Sequence, residues 1–186
     1  MGSGKQNKRV SKQDWLEVAL QELERGGVEA VRIERLATIL SISKSGFYWH
    51  FKDRKDLLHH LLDYWFHEYT EVVTSNPLLR SGDPIKRLKR ASQIIQEYKL
   101  GRYELAIRAW ANHDDRVHQV VVKATNTRMD FIRQIFRDIG FEADEVEMRT
   151  ALFVCYQAWE VVTFGHMSQR KLSRMRNRRL ALLAKP

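Results

Sequence analysis

Between Lys44 and Lys55 the chain gathers side chains that grip charge and stack on rings, not side chains that break bonds. The stretch reads Lys44-Ser45-Gly46-Phe47-Tyr48-Trp49-His50-Phe51-Lys52-Asp53-Arg54-Lys55. On a helix, Phe47 and Phe51 are i, i+4 partners and turn inward together with Ile42. Lys44, Ser45, Tyr48 and Trp49 are then left facing outward. An exposed Tyr-Trp pair costs solubility. Contact with DNA is a reason to keep it, because a tyrosine hydroxyl donates to phosphate and a ring packs on a thymine methyl. Gly46 weakens a helix by up to about 1 kcal/mol, yet it allows the backbone to approach a groove wall closely. The plainer alternative is a three-helix bundle with a solvated basic face.

Other reactive residue types carry less. His60, Asp63 and His67 stand at i, i+3, i+7, a spacing that can hold a metal, but a solvated helix face accounts for it as well, and no metal is expected. Cys155 is the single cysteine, so no intrachain disulfide forms. It sits in an apolar helical stretch and reads as inert core. No Gly-rich phosphate loop, nucleophile elbow or HExxH zinc motif occurs. The reading is therefore not an enzyme, with no cofactor.

The elements that hold this chemistry are helical. Three prolines, Pro77, Pro84 and Pro186, punctuate 186 residues of which 44% are hydrophobic. Helical spacing dominates, with hardly any strand alternation, which predicts an all-α protein of about nine helices. Ser11 caps a first helix to about Arg25, and Gly26-Gly27 end it. Ile33, Leu36, Ala37 and Leu40 mark a second, shorter helix. Ser41-Ile42-Ser43 is a turn, and Ser43 is placed to cap a third helix to about His50. Asp53 caps a long fourth helix to about Thr74. Helix five opens at Pro84. Helix six begins near Gly101. Asp114-Asp115 open a long helix closed by Gly140, and another runs from about Asp144 to Phe164. Three short helices with a tight turn before the last describe a helix-turn-helix, whose final helix enters the major groove.

Within this frame, Ile33-Glu34-Arg35-Leu36-Ala37, then Ile42-Ser43, then Phe47 through Arg54 resembles the signature of the TetR family of bacterial transcriptional regulators. The resemblance covers about Asp14 to Leu58. Two positions depart from it: Ser41 stands where the family has a turn glycine, a left-handed position, and Arg32 replaces a frequent threonine. The resemblance implies an N-terminal DNA-binding domain, residues 1–56, joined through a long helix to a helical effector-binding and dimerisation domain, residues 57–186. It implies DNA contact by Arg32, Ser43, Lys44, Ser45, Gly46, Tyr48, Trp49, His50, Lys52, Arg54 and Lys55. His50, Tyr48 and Arg54 are expected on phosphates, and Lys44 and Trp49 nearest the bases. Lys5, Lys8, Arg9 and Lys12 form a basic arm reaching the minor groove.

The resemblance also implies an effector bound among the middle helices and a homodimer through the last two. Trp65, Tyr69, Tyr98, Trp110, His113, Phe131, Tyr156 and Trp159 are the aromatic and polar-tipped candidates for the pocket, though for any single one of them ordinary core is the first reading. The stretch around Leu152, Tyr156 and Trp159 is apolar on one side, and Val154, Ala158, Val161 and Val162 fill another, so it is expected to be buried twice. Arg176 and Arg179 project into the apolar stripe of the last segment. Either acids from a partner subunit meet them, or that segment is not one regular helix.

Charge is consistent with a polyanionic partner, at +9 overall. It is concentrated at the end, where seven basic residues and no acid follow Met167. No apolar run suits a membrane span, and the start is polar, so a cytoplasmic protein without membrane contact is expected. The expected function is a dimeric, sequence-specific repressor that leaves a palindromic double-stranded operator when a small molecule binds. A protein partner in place of the small molecule is the alternative.

Overall fold

The computed structural model describes residues 10–185, apart from the side chains of Ala158, Val161 and Val162. Among the described residues there is no strand. The chain divides into two compact units between Tyr64 and Trp65.

The first unit begins with α1, Lys12–Gly26. Ser11 caps it through a reciprocal box: the Ser11 hydroxyl accepts from the Asp14 amide, and the Asp14 carboxylate accepts from the Ser11 amide. Gly27, at φ 70°, lets the chain leave the helix. A short 3-10 turn, Val28–Ala30, leads to α2, Ile33–Ile39. Ser41 then takes the left-handed conformation at φ 55° that its position in the turn requires. The third helix, α3, covers Lys44–Trp49 and is wound entirely as a 3-10 helix. Ser43 precedes it but does not cap it; its hydroxyl lies 2.6 Å from that of Ser45. Trp15, Leu20, Leu23, Leu36, Phe47, Phe51 and Leu57 close the core of this unit.

The long helix α4 runs over residues 54–74. Asp53 caps it by accepting from the Asp56 amide at 2.8 Å. Its winding widens into one π turn at His67–Glu71 before a final α turn, Val72–Thr74.

In the second unit α5 (Pro84–Glu97), α6 (Glu104–Ala111) and α8 (Ala143–Phe164) each pack against α7 (Asp115–Ile139). At about 1.5 Å per residue, α7 is roughly 37 Å long and forms the spine of the unit. Asp114 caps its start, and Gly140, left-handed at φ 108°, closes it. Phe136, Phe141, Phe153, Leu180 and Leu183 fill the core on one side of α7. Leu79, Ala91, Ile94 and Leu100 form a second cluster, and Ile95 and Phe131 pack against both.

The basic terminal segment is a single helix, α9 (Gln169–Leu183), capped by Ser168. Both alternatives raised for Arg176 and Arg179 give way to a third. The acid that meets them is Glu160 of α8 in the same chain, 5% exposed. Arg179 also lies 3.4 Å from the centre of the Tyr156 ring. Burial holds the Arg179 guanidinium below its usual pKa.

Candidate nucleic-acid interface and interior cavity

The 3-10 winding of α3 divides its side chains sharply. Phe47 is fully buried and meets Trp15 edge-on, with ring centres 5.3 Å apart, and Phe51 at 5.2 Å. The next two residues leave the core: Tyr48 is 62% exposed and Trp49 79%. A methyl group added at Gly46 would stand 3.2 Å from Ile42 Cδ1. A side chain here would push the end of Ile42 aside by a few tenths of an ångström, so glycine eases packing inside the turn.

The predicted contact residues fall into two groups. Arg32, Ser43, Lys44, Ser45, Tyr48, Trp49, Lys52 and Lys55 are exposed. Lys44 donates to Glu34 at 2.8 Å, and this bond is the main reason the Glu34 carboxyl sits below the usual range. His50 and Arg54 are more deeply engaged. His50 Nε2 lies 3.2 Å from the Val10 carbonyl oxygen. Arg54 donates to the carbonyls of Val31 (2.7 Å) and Val28 (2.5 Å). Those bonds tie the start of α4 to the connection between α1 and α2. Lys12 lies over the Phe51 ring, 5.3 Å from its centre. Lys5, Lys8 and Arg9 lie outside the described residues. Arg35 was not singled out in the sequence; it donates to the buried Glu22, binding α2 to α1.

The second unit contains a cavity lined largely by Tyr69, Val73, Ile95, Leu100, Phe131 and Phe153. It encloses about 530 Å³ of empty space including its mouth. Its enclosed interior is narrow, about 60 Å³, and leaves no room for a bulky ligand. Of the eight candidates, Tyr69 and Phe131 line it. Trp65 is fully buried beside Arg128, whose guanidinium lies 5.3 Å from the ring centre. Trp110 is buried but lines none of the cavity, and His113 is exposed at the end of α6. Tyr98 is 61% exposed and Trp159 55%. Tyr156 serves as the platform for Arg179.

The polar end of the cavity went unnoticed in the sequence. Glu104, 1% exposed, accepts from Arg108 Nε and from Arg128 Nη1, both at 2.8 Å. Arg128 also donates from Nε to the Thr70 hydroxyl at 3.0 Å and from Nη2 to the Tyr69 carbonyl at 3.2 Å. A signal existed: Arg128 interrupts the otherwise apolar stripe of Val121, Ala124, Ile132 and Ile135 on α7.

Cys155, expected in the core, is exposed. It stands on α8 among Met148, Leu152 and Trp159, which are 49%, 53% and 55% exposed and recur at helical spacing. Val154 instead lines the cavity and packs inward. Among the described residues no His, Cys, Asp and Glu group could hold a metal, and no helix is long and apolar enough to cross a membrane.

Residues 16–61 match the family model of the bacterial regulatory proteins, tetR family. The chain is 27% identical over 85 residues to the HTH-type transcriptional regulator AcrR of Shigella flexneri. That alignment covers 46% of this chain and 40% of the relative, less than half of either. Over the whole chain, the fold is that of a transcriptional regulator from Rhodococcus sp. Rha1, with a TM-score of 0.72 at 15% identity, covering 94% of this chain and 96% of the other. A TetR-family regulator from Mesorhizobium loti has a TM-score of 0.67 at 13% identity and 97% coverage of both. AibR, solved with isovaleryl coenzyme A and operator DNA, has a TM-score of 0.60 at 16% identity, covering 82% of this chain and 86% of AibR. With its exposed Tyr48-Trp49 pair, the matched head is similar to the helix-turn-helix domain of the bacterial regulatory proteins of the tetR family, and the chain shares the fold of these solved regulators.

Proposed function

We propose that the protein is a dimeric repressor that holds a palindromic operator through its two heads and releases it when a small molecule enters the cavity of the second unit. The observation that carries this is the exposure of Tyr48 and Trp49 directly after the buried Phe47. Two large rings are held in solvent by a rigid support, which suits a surface that meets DNA. Lys44, Lys52 and Lys55 supply positive charge from the same stretch.

A dimer supports operator recognition, because one short recognition helix gives few base contacts and two half-sites double them. The second copy is assigned to the Met148, Leu152 and Trp159 stripe of α8, an apolar face otherwise left in water. AibR, which was solved with both an acyl thioester and its operator, supports effector control in this fold. The cavity favours a small molecule over a protein as effector. Such a repressor works in the cytoplasm, where the DNA is.

The test is selection of bound sequences from a random DNA pool by the full chain. The expected result is an enriched two-fold symmetric site. No enrichment over the starting pool would defeat the proposal.

A further inference from the structure

We propose that the cavity takes a small carboxylate, its head group on Arg128 and its apolar body against Val73, Phe131 and Phe153. This rests on the reading of the cavity as the effector site. Four observations lead to it.

The first is charge. Arg128 and Glu104 are the charged groups that line the cavity. Each oxygen of Glu104 already accepts from a guanidinium, Oε1 from Arg108 and Oε2 from Arg128. Glu104 thus has no oxygen left for a ligand cation, while the Arg128 guanidinium keeps donors to offer an anion.

The second is unused donors. A guanidinium has five N–H groups. Among the described residues, Arg128 places three of them, on Thr70, Glu104 and Tyr69. Two remain on a planar fork whose geometry suits a carboxylate. Gln157 also lines the cavity, and its Nε2 is buried without an acceptor among the described residues. A ligand oxygen meets both needs, whereas an apolar ligand meets neither.

The third is size. The narrow interior excludes a bulky polycyclic body and favours a small, slender ligand.

The fourth is coupling. Tyr69 and Thr70, which accept from Arg128, both belong to the π turn of α4. Single π turns inside helices recur at functional sites. A head group on the two remaining N–H groups of Arg128 pulls on the same guanidinium that holds this turn. The helix so perturbed begins at Arg54, in the DNA-binding head. The ligand thereby distinguishes two windings of α4, which is what an effector must do to shift a population.

The test uses the full chain at near-neutral pH with matched probes: hexanoate, hexanamide and hexylamine, and phenylacetate with phenylacetamide. Calorimetry gives affinity, and anisotropy of a labelled operator gives release. An acid is expected to bind at least about tenfold tighter than its amide, with the amine weakest. Arg128→Gln should bring acid and amide within about threefold of each other. Because that variant leaves Glu104 with one partner fewer, Arg128→Lys serves where Arg128→Gln does not fold. Lysine keeps the charge without the fork, and the preference for the acid should fall by at least about threefold. Equal binding of acid and amide, or a full acid preference in the folded variant, overturns the proposal. Amides or amines that bind and release DNA would overturn the carboxylate while leaving the cavity as effector site. Silence from every probe overturns both.

Discussion

Phe47 and Trp49 stand two residues apart on the same helical turn, and replacing each by alanine should break different properties. Phe47 is fully buried among Trp15, Phe51 and the aliphatic core. Truncating a buried phenylalanine costs about 3–5 kcal/mol. The two aromatic pairs at 5.2 to 5.3 Å place Phe47→Ala toward the upper end, since each such pair adds roughly 0.5–1.5 kcal/mol beyond its area. Whole domains are stable by only about 5–15 kcal/mol, so this variant should lose a large fraction of the stability of the head. Trp49 is 79% exposed, and its removal should change stability by no more than about 0.5 kcal/mol. Its loss should instead weaken operator binding by about 1–3 kcal/mol, roughly 5- to 150-fold. Urea denaturation followed by circular dichroism gives the first quantity, and operator titration by anisotropy the second. A Trp49→Ala variant as unstable as Phe47→Ala would refute the division of faces. A stable one that binds operator normally would remove Trp49 from the interface.

Arg54→Ala should lower head stability by about 1–2 kcal/mol, since two charge-assisted bonds to the Val28 and Val31 carbonyls are lost. It should also weaken operator and random duplexes alike, with the salt slope reduced by about 1 per subunit; selective loss of operator would contradict a phosphate role. Leu152→Glu puts a charge on the exposed α8 stripe and should yield a folded monomer in sedimentation, whereas an intact dimer would move the interface elsewhere. Glu160→Gln should cost about 3–5 kcal/mol in thermal denaturation, because the buried Arg179 loses its counter-charge; a neutral result would mean that the Tyr156 ring suffices. The Arg87 guanidinium, helped by Gln134, holds the Asp138 carboxyl below its ordinary 3.8. That contribution is full above pH 3.8 and is lost as pH falls through the lower folded value. Asp138→Asn should therefore be less stable than wild type near neutrality, by about 1 kcal/mol or less at this half-exposed site, with the difference vanishing in acid. A gap that persists at the lowest pH would show that the charge is not its source.

Local chemistry made much of the protein legible from the sequence. The Ser11, Asp114 and Asp53 caps and the Gly140 terminus depend on residues within a few positions of one another, and all four stand where the spacing put them. The inward Phe47 and Phe51 and the outward Tyr48 and Trp49 followed from helical geometry alone. The tighter 3-10 winding of α3 did not, because an inward and outward division of faces is compatible with either winding. The cavity was the hardest to see. Its aromatic candidates were chosen by type, but a ring faces a cavity only when neighbouring helices leave one there. Tyr69 and Phe131 meet that condition, whereas Tyr98 and Trp159 face solvent. The Glu104, Arg108 and Arg128 group joins α6, α7 and the π turn of α4, with Arg128 lying 24 positions from Glu104 and 59 from Tyr69 in the sequence. Likewise, Glu160 meets Arg176 and Arg179 only because α9 folds back on α8. Periodicity determines which residues share a helix face; packing between helices decides what each face meets, and buried charges find their partners at that second level.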